Sequence, residues 1–162
     1  MRYWLTAGRG DFGISPKNCV EPSFYCVVHD DSHGGNDRGL SAAPVDVPLK
    51  PPLLAEMKSN NYLLNVLTAM AAQDAGGTLG IQVDGAGLLR ESAVLNVVVI
   101  DADGVFRTPP FDGILRGTTV RRAMELAPEL RDEATGGPLV RKVAQGDVSL
   151  AAARKEAAVY QP

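Results

Sequence analysis

Two Asp-Gly turns frame the most apolar stretch of this chain, and that arrangement limits what it can fold into. Asp84-Gly85-Ala86-Gly87 stands ahead of residues 94–100 (VLNVVVI), and Asp103-Gly104 follows them. Asp-Gly pairs supply the positive φ that tight hairpin turns need. The near-continuous apolar run between the turns suits a strand buried on both faces. Residues 78–83 (TLGIQV), Leu88-Leu89-Arg90 and Val105-Phe106-Arg107 fit the other arms of these hairpins.

Upstream, residues 62–75 place Leu63, Val66, Leu67 and Met70 at the spacing of an amphipathic helix. Gly76-Gly77 stop it. Residues 44–52 (PVDVPLKPP) hold four prolines, which predicts an extended segment and no helix. Residues 2–6 (RYWLT) and 24–29 (FYCVVH) are dense in β-formers, and Ala7-Gly8-Arg9-Gly10 make a glycine-rich turn. Residues 30–39 (DDSHGGNDRG) are polar and glycine-rich and read as a linker. Residues 118–130 begin a helix with a Thr cap signal after Gly117, and residues 149–158 form a last helix with a Ser cap. Strands, helix, strands, helix, helix is the order of an α+β fold with mixed sheets.

Composition removes several function classes. The 162 residues amount to one domain's length, and 45% hydrophobic with 22% charged residues is enough to build a core. A net charge of −3 without a Lys/Arg stripe gives no footprint for nucleic acid. No apolar run is long enough to span a bilayer, so no membrane role is expected. Met1-Arg2-Tyr3-Trp4-Leu5 has neither the apolar core nor the cleavage pattern of a signal peptide. Cys19 and Cys26 fit no zinc spacing and no C-x-x-C motif, and read as free buried thiols. His29-Asp30-Asp31-Ser32-His33 reads as a solvated loop. Asp101-Ala102-Asp103-Gly104 lacks the later ligands of a calcium loop, so no metal is expected. Arg121-Arg122 read as surface charges.

Three places carry chemistry in combination. Lys58 stands between the proline-rich segment and the helix, where a lone lysine is ordinarily a solvated charge. Glu91 follows the first hairpin, with Asn96 five residues on, and could be a strand-end charge or a carboxylate facing a heteroaromatic ring nitrogen. Gly117-Thr118-Thr119 open a helix, whose free N–H groups favour a phosphate. Lys-x-x-Asn, a helix, an Asp-Gly hairpin, Glu-x-x-x-x-Asn, an apolar strand, a second Asp-Gly hairpin, Thr-Pro, and Ile-Leu-x-Gly-x-Thr before an Arg-bearing helix occur here in that order. From Lys58 to Ala127 the chain resembles the class IV (fold type IV) pyridoxal-phosphate enzymes, which include branched-chain and D-amino-acid aminotransferases and aminodeoxychorismate lyase. Upstream, RYWLTAGRGDFGISP and FYCVVHDD look most like the plastidial plant members.

The resemblance implies a partial D-amino-acid-aminotransferase-like fold. Residues 1–35 would be a remnant of the small N-terminal domain and linker, and residues 36–162 part of the C-terminal cofactor domain. It implies pyridoxal 5'-phosphate as cofactor, held as an internal aldimine on Lys58, which would then move protons as a neutral amine favoured by burial. Glu91 would pair with the pyridine nitrogen, Leu115 would pack on the ring, and Asn96 would brace the strand beneath it. Gly117, Thr118 and Thr119 would hold the phosphate. Gly8, Arg9 and Gly10 match a loop on the substrate side, where Arg9 fits equally a carboxylate anchor and a surface arginine.

The implied activity is transfer of an amino group between an amino acid and a 2-oxo acid. The alternatives are aminodeoxychorismate lyase activity, releasing pyruvate and p-aminobenzoate, and a non-catalytic truncated isoform. The resemblance also implies a homodimer, and a plastid location in place of a cytoplasmic one. Family members are longer, and the chain stops at Tyr160-Gln161-Pro162 where a further strand is expected. It therefore reads as truncated at both ends and, lacking other phosphate contacts, as a weak binder of the cofactor.

Overall fold

The computed structural model describes residues 1–30, 39–131 and 137–157. The chain divides into two compact units, Met1–Gly39 and Leu40–Pro162. Most of the linker expected at 30–39, the expected boundary at 35/36, Asp31, Ser32 and His33 lie outside the described residues, as does the tail Tyr160-Gln161-Pro162.

The first unit is a two-stranded antiparallel ribbon. β1 (Arg2–Thr6) pairs with β2 (Ser23–Val27), with Arg2 opposite Val27 and Thr6 opposite Ser23. Trp4 stacks on its cross-strand partner Tyr25, ring centroids 5.0 Å apart. Gly8 leaves β1 at φ 89°, and a Cβ there would fall 1.6 Å from the Glu21 carbonyl oxygen, so only glycine fits. Cys19 and Cys26 are both free. The expected burial of these thiols does not hold. Cys26 is exposed, because β2 is exposed along its whole length.

In the second unit, β3 (Ala42–Val45), β4 (Leu79–Val83) and β5 (Leu89–Ser92) form a mixed sheet, β4 lying parallel to β3 and antiparallel to β5. A second mixed sheet joins β6 (Val99–Ile100), β7 (Val105–Thr108) and β8 (Lys142–Gln145). The helices are α1 (Pro52–Ala55), α2 (Leu63–Asp74), α3 (Thr118–Leu126) and α4 (Leu150–Ala157). Both Asp-Gly turns form where expected. In each, an aspartate (Asp84, then Asp101) accepts two backbone N–H bonds across the turn.

Four expectations need correction. The proline-rich run is not free of helix, since Pro52 opens α1 at a position that needs no N–H donor. Pro44 lies within β3, which is tolerated because β3 is an edge strand. The apolar stripe of α2 faces outward, with Leu63 66%, Val66 50% and Met70 53% exposed. The buried side carries Thr68 and Ala72, small enough that the helix closes onto Gly80 of β4, where a Cβ would meet the Thr68 carbonyl oxygen at 2.5 Å. Thr68 is satisfied there, donating to the Leu64 carbonyl and accepting from Gln82, both at 2.8 Å. Residues 94–100 are not one buried strand either. Only Val99–Ile100 pair as β6, while Val94 and Leu95 are 65% and 50% exposed. The Ser92 N–H donates to the Leu95 carbonyl and Glu91 bridges to Asn96, so the chain reverses as soon as β5 ends.

The fourth correction concerns the cap of α3. Gly117 is its N-cap and Thr118 its first helical residue, with no side-chain cap bond. Pro128, which has no N–H, ends the α-helical ladder in a 3-10 turn at Ala127–Glu129. The Ser cap of α4 forms as expected, Ala152 N–H to Ser149 Oγ at 3.1 Å. β8 carries no distinctive signal in the sequence, and the structure adds it beside β7.

Candidate active site

Three short connections converge at the end of β5. The turn between α1 and α2 brings Lys58 and Tyr62, the reversal after β5 brings Glu91 and Asn96, and the loop before α3 brings Leu115. Together with Lys50, Asn65 and Ser92 they line one open cleft.

The floor of the cleft is a hydrogen-bonded clamp. Glu91 Oε2 accepts from the Leu115 N–H at 3.1 Å, and Asn96 Nδ2 donates to the Leu115 carbonyl at 2.8 Å. Gly117 completes it, since a Cβ at that position would sit 2.0 Å from Asn96 Oδ1. The loop therefore approaches Asn96 more closely than any residue with a side chain allows. Burial pushes the Glu91 carboxyl above its ordinary range, while the Leu115 N–H, Lys50, Lys58 and Arg90 pull it back down. Arg90 itself leans toward Asp84 at 4.0 Å and Asp112 at 3.7 Å.

Lys58 stands at the open side. Its Nζ donates to the Tyr62 hydroxyl at 3.0 Å and lies 5.6 Å from the centre of that ring. The burial expected of this lysine is not what the structure shows. Lys58 is exposed, because α1 ends at Ala55 and the residue falls in the turn ahead of α2.

Of the residues picked out in the sequence, the cleft gathers Lys58, Glu91, Asn96 and Leu115. Gly117 touches the clamp from behind. Thr118 and Thr119 are exposed at the start of α3, outside the lining residues, with no side-chain cap bond closing the helix end. Gly8, Arg9 and Gly10 belong to the first unit, where Arg9 is exposed. Among the described residues no group of His, Cys, Asp and Glu could hold a metal. No helix among them is long and apolar enough to cross a membrane.

Sequence reasoning missed Tyr62, Lys50, Asn65 and Ser92. Tyr62 follows Lys58 by four residues, but the segment between them is not helical, so that spacing carried no signal. The other three had none either. Ser92 Oγ and Asn65 Oδ1 are buried without a partner, the mark of a polar site rather than a packed core.

Comparison with known proteins gives concordant results. The family model described as Amino-transferase class IV matches residues 1–149. The chain is 39% identical over 131 residues to "D-amino-acid transaminase, chloroplastic" of Arabidopsis thaliana, covering 80% of this chain and 35% of that protein. It is 32% identical over 142 residues to "Putative branched-chain-amino-acid aminotransferase" of Methanocaldococcus jannaschii, covering 86% of this chain and 49% of that one. Among solved structures it resembles a fold IV-transaminase from Curtobacterium pusillum, with a TM-score of 0.56 and 29% identity over 72% of this chain and 40% of the other. The chain thus spans a third to a half of the length of the curated relatives it matches.

Proposed function

Because the chain belongs to the class IV aminotransferase family, we propose that it serves transfer of an amino group between an amino acid and a 2-oxo acid, with pyridoxal 5'-phosphate held at Lys58. The observation that carries this reading is the cleft in which a primary amine and a half-buried carboxylate face the same space.

The residues present fit such a cofactor. It brings an aldehyde for an amine and a ring that accepts electron density once its nitrogen is protonated. Lys58 is the amine, and in its neutral form both nucleophile and carrier of the substrate's α-proton. The Tyr62 hydroxyl holds Lys58 Nζ at the mouth of the cleft. Glu91, fixed by the Leu115 N–H, is the carboxylate that would keep a pyridine nitrogen protonated. Asn96 braces the Leu115 loop, and Leu115 gives the ring an apolar surface. The uncapped start of α3 at Gly117, Thr118 and Thr119 offers N–H groups and hydroxyls to a phosphate.

Residues 1–35 serve as part of a small N-terminal domain and residues 36–162 as part of the cofactor domain. Gly8, Arg9 and Gly10 serve the substrate side, Arg9 as a carboxylate anchor. The substrates are D- or branched-chain amino acids with a 2-oxo acid, in keeping with the names of the two curated relatives. A plastid location follows the Arabidopsis relative's name, and a homodimer would cover the outward apolar stripe of α2.

The test is capture. The chain is incubated with pyridoxal 5'-phosphate, reduced with borohydride and mapped by mass spectrometry. Label on Lys58, lost in Lys58→Ala, is expected. Label spread over surface lysines and unchanged in Lys58→Ala would defeat the reading. Amino transfer from D- and branched-chain amino acids, measured beside pyruvate release from aminodeoxychorismate, then fixes the reaction.

A further inference from the structure

Lys50 belongs to none of the sequence patterns that led to the site, yet its half-buried side chain lines the same cleft as Lys58 and Glu91. Its ammonium stands 5.9 Å from the centre of the Tyr62 ring, and that of Lys58 stands 5.6 Å from the same centre. One phenol ring therefore carries two cations, one of which also donates to its hydroxyl.

Three cations act on Glu91 from three places: Lys50 from the segment before α1, Lys58 from the turn after it, and Arg90 from β5 itself. The Leu115 N–H adds a fourth favourable contact. Their persistence differs. Arg90 is shared with Asp84 and Asp112. Lys58 must surrender its charge to act as a nucleophile. Lys50 has no such duty.

We propose that Lys50 is a positioning residue of this site, a second cation that faces Glu91 across the shared cleft and holds the Tyr62 ring beside Lys58. The purpose of this device rests on the cofactor reading given above. Its existence rests only on the cleft that Lys50, Tyr62 and Glu91 line together.

The experiment separates the two. In the cofactor-free chain, the Glu91 carboxyl is followed by carbon NMR against pH, its signal assigned by loss in Glu91→Gln. Lys50→Met is expected to move the protonation midpoint of Glu91 upward by roughly half a pH unit, the size of one lost charge across a partly solvated site. Lys50→Arg is expected to leave it in place. An unmoved midpoint in Lys50→Met, or an equal shift in Lys50→Arg, overturns the proposal. High salt offers a route that needs no variant. Screening of Lys50 should raise the midpoint in the unaltered chain, more than in Lys50→Met, and a salt-independent midpoint also overturns the proposal. Borohydride capture run beside these titrations tests the cofactor reading alone, since Lys58 can fail to take the label while the midpoints still decide the role of Lys50.

Discussion

Glu91 and Asn96 hold the two polar backbone groups of one residue between them, the carboxylate taking the Leu115 N–H and the amide giving to the Leu115 carbonyl. The two are themselves paired as an antiparallel bridge. The six residues from Glu91 to Asn96 thus fix the loop that leads into α3, and with it the relation between the carboxylate and the helix start.

Asn96→Ala removes half of that clamp. The Leu115 carbonyl loses its side-chain donor, and the cost expected from one such bond is about 1 kcal/mol. Urea unfolding should show it as a lower midpoint with an unchanged slope. A variant as stable as the parent would mean that water replaces the amide at no cost.

Gly117→Ala tests the same loop from the other side. Gly117 has φ −58° and ψ 138°, which alanine adopts freely, so any cost is steric. The added methyl would meet Asn96 Oδ1, and overpacking of this kind costs about 1–3 kcal/mol. The double variant with Asn96→Ala should recover part of the loss, a coupling that thermal or urea denaturation of all four proteins measures. Strict additivity would show that the two residues do not meet.

The residues of this clamp were legible through the resemblance, because Glu91, Asn96, Leu115 and Gly117 fall in the ordered motif that carries it. What failed was burial. The stripe of α2 was read as an ordinary amphipathic face, but close packing on Gly80 selects the small side chains Thr68 and Ala72, leaving Leu63 and Val66 outside. Periodicity counts apolar residues and cannot weigh how near two backbones must come. The run at 94–100 misled for a related reason, since the reversal is made by the backbone pair Ser92 and Leu95, which no side chain announces. Lys50 stood in a proline-rich segment and carried no signal. Its place depends on α1 and α2 folding the chain back toward Glu91.

Tyr62→Phe isolates the partner of Lys58. The bond to Lys58 Nζ is exposed, so stability should change by less than about 0.5 kcal/mol. Capture of pyridoxal 5'-phosphate by Lys58 should slow by roughly two- to tenfold, the kinetic worth of one modest hydrogen bond. Stopped-flow absorbance gives the rate. A rate equal to that of the parent would show that Tyr62 does not orient the amine.

Glu91→Gln should be more stable than the parent at neutral pH, and the sign follows from linkage. Burial raises the carboxyl of Glu91 in the folded chain above its value in the unfolded one. Between those two values the folded state holds the proton more tightly, so stability falls as pH rises through the window, and the loss persists at pH 7. Glutamine carries no charge to desolvate and still offers an oxygen to the Leu115 N–H. Below about pH 4, where Glu91 is protonated in both states, the advantage should vanish. Chemical denaturation of the two proteins from pH 4 to 7 gives the difference directly. Curves that run parallel across that range would mean that the carboxylate is as well solvated in the cleft as in the unfolded chain. A curve that diverges upward for the variant as pH rises would mark Glu91 as a charge kept at the expense of stability, as expected of a group retained for what it does to a bound ring.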